Sequence, residues 1–157
     1  ELGFFFGAPA VGYFFGNFIT GKFAARIGVN KMVLWGSLIV TIPMITLLGI
    51  FAAGHGSVWV FFGFMTFVGI GNGMTIPNAT AGMLSVRPRL AGTASGLGGA
   101  IMLGGGAAMS ALAGLLLHPG TGAWPLLWMM AGSSAASVVV ILLVIRRTKQ
   151  IGGLDAS

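Results

Sequence analysis

Two long stretches without any charged side chain constrain this chain more than any other feature. Between Lys31 and Arg87 lie 55 residues without Asp, Glu, Lys or Arg, and between Arg89 and Arg146 lie 56. A membrane span needs about 20 apolar residues, and a single helix of 55 residues would be about 80 Å long. Each stretch therefore predicts two membrane-crossing helices joined by a turn.

Glycine and proline mark the turn inside each stretch. Residues 54–57 read Gly-His-Gly-Ser, and residues 118–122 read His-Pro-Gly-Thr-Gly. These residues break a helix, and water must solvate the backbone groups that they release. One more apolar segment precedes Lys22. The sequence thus predicts an all-α membrane protein with five transmembrane helices, near residues 3–24, 31–53, 57–82, 90–117 and 122–146.

The composition supports lipid as the solvent of this chain. Of its 157 residues 56% are hydrophobic and only 6% are charged, whereas a soluble domain carries roughly 25% charged residues. The net charge is +6, but the cations sit at the ends of the predicted spans and form no basic face. We therefore expect a lipid bilayer as partner and no nucleic acid.

The positions of the cations predict an orientation. In the five-helix arrangement all eight Lys and Arg side chains fall on one side of the membrane, and both hairpin turns on the other side carry none. The positive-inside rule places the cationic side in the cytoplasm. The basic tail, residues 146–157, is then cytoplasmic. Because Glu1 already stands at a hydrophobic segment, we expect the chain to begin inside a longer reading frame.

Small residues predict which helices pack closely. In lipid, helices associate by close contact, so interfaces collect Gly, Ala and Ser. The fourth helix is the densest in glycine, and we expect several neighbours to approach it at Gly92, Gly96, Gly99 and Gly106. The second and fifth helices are rich in large and β-branched residues, which predicts lipid-facing supports. This pairing of a glycine-rich and an apolar helix occurs twice in opposite directions, as in the inverted repeats of transporters.

Polar residues inside the spans are the candidates for a substrate cavity. The third helix carries Asn72, Thr75 and Asn78 around Pro77, which kinks a helix because it lacks an amide donor. Tyr13 and Asn17 lie one turn apart on the first helix and would form a second polar stripe at mid-membrane. Met102 on the fourth helix would add an adaptable apolar wall. Interhelical hydrogen bonding is the alternative role for the same amides and hydroxyls.

The sequence lacks the residue patterns of an enzyme. No Asp or Glu lies within a predicted span, and there is no Ser-His-Asp arrangement, phosphate loop or metal-ligand spacing. His55 and His118 fall in the predicted turns, where a solvated interfacial histidine is the simplest interpretation. We expect no catalytic residue, no metal and no cofactor. A proton or sodium relay normally needs an intramembrane acid, so a coupling acid would have to lie outside this segment.

Two stretches resemble the major facilitator superfamily. Residues 21–31, GKFAARIGVNK, are similar to the cytoplasmic loop motif that follows the second and eighth helices of that superfamily, with matches at Gly21, Arg26, Gly28 and Lys31. The usual acidic position of the motif is Ala25 here. Residues 76–82 and 87–96 resemble the tenth helix and the loop after it in the Bcr/CflA drug-resistance branch of proton-coupled antiporters.

The resemblance implies a place in a twelve-helix transporter. The five helices would correspond to helices eight to twelve of the C-terminal half, and the missing N-terminal half would supply the main coupling acids. Function would be export of small amphiphilic compounds in exchange for protons, across a bacterial inner membrane. A metabolite or sugar transporter of the same superfamily and a non-transporting membrane scaffold are the alternatives.

Overall fold

The computed structural model describes residues 2–118 and 120–152, and its described part is a bundle of long α-helices. A short 3-10 helix, Pro88–Leu90, leads into the fourth of them. In chain order the helices are α1 (Leu2–Ile27), α2 (Val29–Ala52), α3 (Val58–Val86), α4 (Ala91–Leu116) and α5 (Trp124–Gly152).

Four of the helices, α2 to α5, are long and apolar enough to cross a membrane. The first helix, α1, has 26 residues, which is also long enough to cross a membrane. Glycines, Pro9, Tyr13 and Asn17 stand between its phenylalanines. Together with the composition, these helices make the chain an all-α integral membrane protein.

Three boundaries differ by three residues or more from those that the sequence predicts, and one of them is the end of α3, at Val86 and not near residue 82. A single residue, Gly28, separates α1 from α2, and its φ of 88° is a left-handed conformation that glycine adopts without strain. Arg26 is therefore helical and does not lie in a loop. The expected tail is helical as far as Gly152, because no helix breaker stands between Arg146 and that residue. The rest of the tail, residues 153–157, lies outside the described residues.

Glycines on α1 and α3 bring these two helices into backbone contact. A Cβ atom on Gly12 or Gly16 would fall inside 3 Å of a carbonyl oxygen of α3, and one on Gly69 or Gly73 inside 3 Å of a carbonyl oxygen of α1. Each pair has the spacing of a GxxxG motif, which allows membrane helices to approach at backbone distance. In the contact between α3 and α1, both helices thus contribute glycines.

The second helix is a core element of the bundle, and the expectation of a lipid-facing support is wrong for it. Its side chains Met32, Met44 and Leu47 are almost fully buried. It lies against both α3 and α5. The small residue Gly36 explains this position, because it lets the α3 backbone approach α2 closely at Gly71.

The fourth helix is the least packed of the five. None of its described residues is buried, and its closest neighbour at a glycine is the side chain of Met83, at Gly98. The four glycines that we expected in close helix contacts have open space around them. A Cβ atom added to any of them would have no neighbouring atom of the described residues within 4 Å, and these glycines are Gly92, Gly96, Gly99 and Gly106. The described helices therefore supply no close neighbour for this glycine face.

An apolar cluster joins α2, α3 and α5 at the end opposite the cations. It consists of the buried residues Met44, Leu47, Met65, Leu127 and Ala131. They lie late in α2 and early in α3 and α5, which is the same end of the bundle because successive helices run in opposite directions. The three helices are thus packed together through buried apolar side chains towards this end.

Candidate functional site

A polar cavity lies between α2, α3 and α5, next to the apolar cluster. Its volume is about 240 Å³. The positions that line it fall near the middle of each helix, so the cavity lies at mid-membrane depth. We call it the polar chamber, and it is lined by Ser37, Val40, Met44, Val68, Asn72, Thr75, Met130, Ser133, Ser134 and Ser137.

Asn72 is the chamber's strongest hydrogen-bonding group. Its side chain is exposed at the chamber wall, and no described residue hydrogen-bonds its carboxamide. An amide offers two donors and an acceptor. Leaving it unpaired in hydrocarbon costs several kcal/mol, at roughly 2–7 by transfer measurements. A carboxamide at this depth therefore calls for water or a polar ligand in the chamber.

The chamber serines present hydroxyl oxygens without any charge. Ser37 and Ser137 share a hydrogen bond of 2.9 Å between their Oγ atoms. The hydroxyls of Ser133 and Ser134 donate to carbonyl oxygens of their own helix, at 3.1 Å and 2.9 Å. A hydroxyl that donates still has lone pairs to accept with. The lining is thus suited to a neutral group with hydrogen-bond donors.

Thr75 is a second polar residue of α3 in the chamber wall. Its hydroxyl oxygen is buried without a hydrogen-bond partner among the described residues. The oxygen lies beside Gly36, where an added Cβ atom would be only 2.5 Å away. The side chain of Thr75, like that of Ser137, also lines a second and larger cavity.

This second cavity extends from the chamber to the end of the bundle that carries the cations. Its volume is about 930 Å³, and α2, α3 and α5 form its walls. We call it the basic-end groove. Because Thr75 and Ser137 line both cavities, the groove adjoins the polar chamber.

The structure places Asn78 in a helix interface and not in a cavity. Its side chain is 3% exposed. The carboxamide donates to the carbonyl oxygen of Met74 at 2.7 Å and to the hydroxyl of Thr20 at 3.2 Å. Thr20 in turn donates to the carbonyl oxygen of Gly73 at 3.1 Å. These bonds connect α1 to α3, which is the interhelical role that the sequence left open.

Tyr13, Asn17 and Met102 do not reach the polar chamber. The amide of Asn17 donates to the carbonyl oxygen of Tyr13 on the same helix, at 2.8 Å. The Tyr13 side chain is 42% exposed, and that of Met102 on α4 is 59% exposed. The two polar stripes expected to meet at mid-membrane are separated, because glycines form the contact between α1 and α3.

The loop-motif residues divide in a similar way. Gly28 and Lys31 line the basic-end groove. Gly21 has open space around it, and Arg26 lies in the last turn of α1, where a cation interacts favourably with the helix dipole. Of the four positions that match the motif, one glycine and one cation therefore line the groove.

Four polar chamber residues were not among the candidates from the sequence, namely Ser37, Ser133, Ser134 and Ser137. A signal for them exists. Ser133 and Ser137 are four residues apart in an otherwise apolar helix, so they share one face. A serine on one face of an apolar span indicates a polar contact at that face.

Comparison with known proteins identifies relatives of the chain. The family model described as Major Facilitator Superfamily matches residues 1–155. The riboflavin transporter RfnT of Brucella anthropi is 36% identical over 103 residues, which are 65% of this chain. The matched stretch is 25% of that relative, so the chain spans about a quarter of its length. No solved structure matches the chain.

Proposed function

Since the chain belongs to the major facilitator superfamily, we propose that it forms the C-terminal part of a secondary transporter whose polar chamber binds the transported solute. The five helices then correspond to helices eight to twelve of that transporter. An N-terminal half outside these residues completes the pathway and covers the glycine face of α4.

The unpaired carboxamide of Asn72 is the observation that carries this proposal. A membrane scaffold would gain nothing from an amide held at mid-membrane without a protein partner. Transporter binding sites lie at this depth. The basic-end groove adjoins the chamber at Thr75 and Ser137 and lies towards one membrane surface.

A neutral organic metabolite with hydrogen-bonding groups is the substrate class that fits best. The chamber lining carries hydroxyls and one carboxamide but no charged side chain. The similarity to a riboflavin transporter supports a metabolite of this kind.

Proton-coupled export of amphiphilic drugs is the second candidate. It is favoured by the apolar walls of the basic-end groove and by the resemblance of residues 76–96 to the Bcr/CflA branch. The described residues contain no Asp or Glu. For both candidate substrates, an acid that couples transport to an ion therefore lies elsewhere in the transporter. In both cases we propose a bacterial inner membrane and a cytoplasmic C-terminus.

The test replaces Asn72 in the full-length product of the gene. We expect Asn72→Ala to raise KM about three- to tenfold, because one hydrogen bond to a neutral group contributes about 0.5–1.5 kcal/mol. Uptake of radiolabelled riboflavin and resistance to several cationic drugs are measured in the same cells, normalised to protein level. Saturable uptake of riboflavin would identify the protein as a metabolite transporter, and drug resistance would identify it as a drug exporter.

The matched control is Asn17→Ala, which removes an amide from α1 outside the chamber. It should leave KM within about twofold of the parent, since its hydrogen bond is to its own helix. Equal effects of the two variants on KM would remove Asn72 from the binding site. Absence of any flux in the parent protein would contradict transport of either substrate class.

A further inference from the structure

The basic-end groove differs from the polar chamber in the chemistry of its walls. Aliphatic side chains dominate it on all three helices, among them Val33, Ala79, Val140 and Val144. Polar side chains lie mainly at its mouth, where Asn30, Lys31, Ser85 and Thr148 stand at the cationic ends of α2, α3 and α5. The groove is thus amphipathic along its length, with its polar part at headgroup depth.

The length of the groove equals one leaflet of a bilayer. On α5, Thr148 lies at the mouth and Ser137 at the inner end, 11 residues apart. At roughly 1.5 Å per residue this distance is about 16 Å. The hydrocarbon core of a bilayer is about 30 Å thick, so one leaflet contributes about half of that. The apolar walls end at mid-membrane, where the polar chamber begins.

An anion has two partners at the mouth. Lys31 is exposed and lines the groove, and no acidic side chain is present in residues 2–118 or 120–152 to pair with it. The helix α2 begins immediately after Gly28, without a side-chain cap. The first amides of a helix lack intrahelical partners and favour negative groups such as phosphate. The cation and these amides belong to the same helix turn.

We propose that the basic-end groove binds an anionic phospholipid from the adjacent leaflet. The phosphate lies at Lys31 and the first turn of α2, and one acyl chain runs along Val140 and Val144 as far as Ser137. The charge of the mouth selects an anionic headgroup, and the length of the apolar wall matches a single tail. This site lies in the groove and shares only Thr75 and Ser137 with the chamber that is proposed to bind the solute.

Native mass spectrometry of the full-length protein tests the site with two probes, dioleoylphosphatidylglycerol and dioleoylphosphatidylcholine. We expect Lys31→Gln to weaken binding of the anionic lipid about fivefold, as for loss of one cation at a membrane surface. Binding of the zwitterionic lipid should change less than twofold. Lys22→Gln is the matched control, because Lys22 lies at the same end but over the ring of Phe23 and outside the groove.

A second pair of variants tests the acyl-chain seat. Val140→Trp fills the groove, and Val139→Trp places the same ring on the neighbouring exposed position outside it. We expect only the first to reduce binding of both lipids, with unchanged melting temperatures for the two proteins. Equal losses for Lys31→Gln and Lys22→Gln would show unspecific attraction. Unchanged lipid binding in Val140→Trp would mean that another part of the transporter occupies the groove. Either result overturns the proposal.

Discussion

Asn72 and Asn78 are the same residue type on one helix, yet their surroundings are opposite. They are six residues apart, which turns the second side chain by about 240° relative to the first at roughly 100° per residue. Asn78 therefore faces α1 and finds Thr20, whereas Asn72 faces the chamber. One amide stabilises the bundle and the other is available to a ligand.

We expect Asn78→Ala to lower stability without changing substrate preference. The variant removes the hydrogen bond that Asn78 donates to Thr20. The Thr20 hydroxyl then keeps only its bond to the carbonyl oxygen of Gly73. Interhelical bonds in membrane proteins contribute on average about 0.6 kcal/mol and at most about 1.7. The melting temperature in detergent should fall, and KM of the surviving protein should stay within about twofold. A changed ranking of substrates at unchanged stability would place Asn78 in the binding site instead.

At the scale of the elements, glycine has two different roles in these helices. Gly12, Gly16, Gly69 and Gly73 form a contact in which each helix meets the backbone of the other. Weak hydrogen bonds from Cα hydrogens to carbonyl oxygens recur at helix crossings of this kind. Other glycines, such as Gly63 on the outside of α3, face open space.

The two roles predict opposite effects of the same substitution. Gly73→Ala places a Cβ atom about 2.5 Å from the carbonyl oxygen of Tyr13, and overpacking costs typically about 1–3 kcal/mol. Gly63→Ala meets no atom within 4 Å and should be neutral or stabilising by up to about 1 kcal/mol, since alanine is the better helix former. Chemical denaturation of the two purified variants measures both changes. A stabilising Gly73→Ala would show that α1 and α3 are farther apart than the structure has them.

At the scale of the whole molecule, the buried apolar cluster lies towards one end of the bundle and the basic-end groove towards the other. The cluster around Leu47 and Leu127 holds α2, α3 and α5 together at the end without cations. Towards the cationic end the same helices line the chamber and the groove. If the cations face the cytoplasm, the mouth of the groove lies on the cytoplasmic side.

Cysteine labelling checks this orientation, and the segment has no cysteine of its own. Single cysteines are introduced in the full-length protein at the exposed positions His55, Gly120, Arg26 and Pro88. We expect an impermeant thiol reagent added outside intact cells to label the first two only, because both lie in the turns opposite the cations. Permeabilised cells serve as the control in which all four react. Outside labelling at Arg26 or Pro88 would reverse the orientation.

The sequence by itself determined the membrane class of this protein and the number of its helices. Both follow from local energetics, because a charge in hydrocarbon is so unfavourable that charged residues mark the ends of spans. The resemblance of residues 21–31 and 76–96 pointed to the superfamily that the family comparison identifies. It did not resolve the branch, for which the riboflavin transporter supplies a competing assignment.

Only the tertiary structure decided which polar residues share a cavity. Ser37 and Ser137 are 100 residues apart in sequence and meet at 2.9 Å. Their meeting depends on where α2 and α5 cross, and no local pattern specifies that crossing. The glycine contact likewise separated Tyr13 from Asn72, because helices that approach at backbone distance leave no space for side chains between them. Hydropathy fixes how deep a residue lies in the membrane, but its partners depend on the rotation and crossing of every helix, which are set by packing.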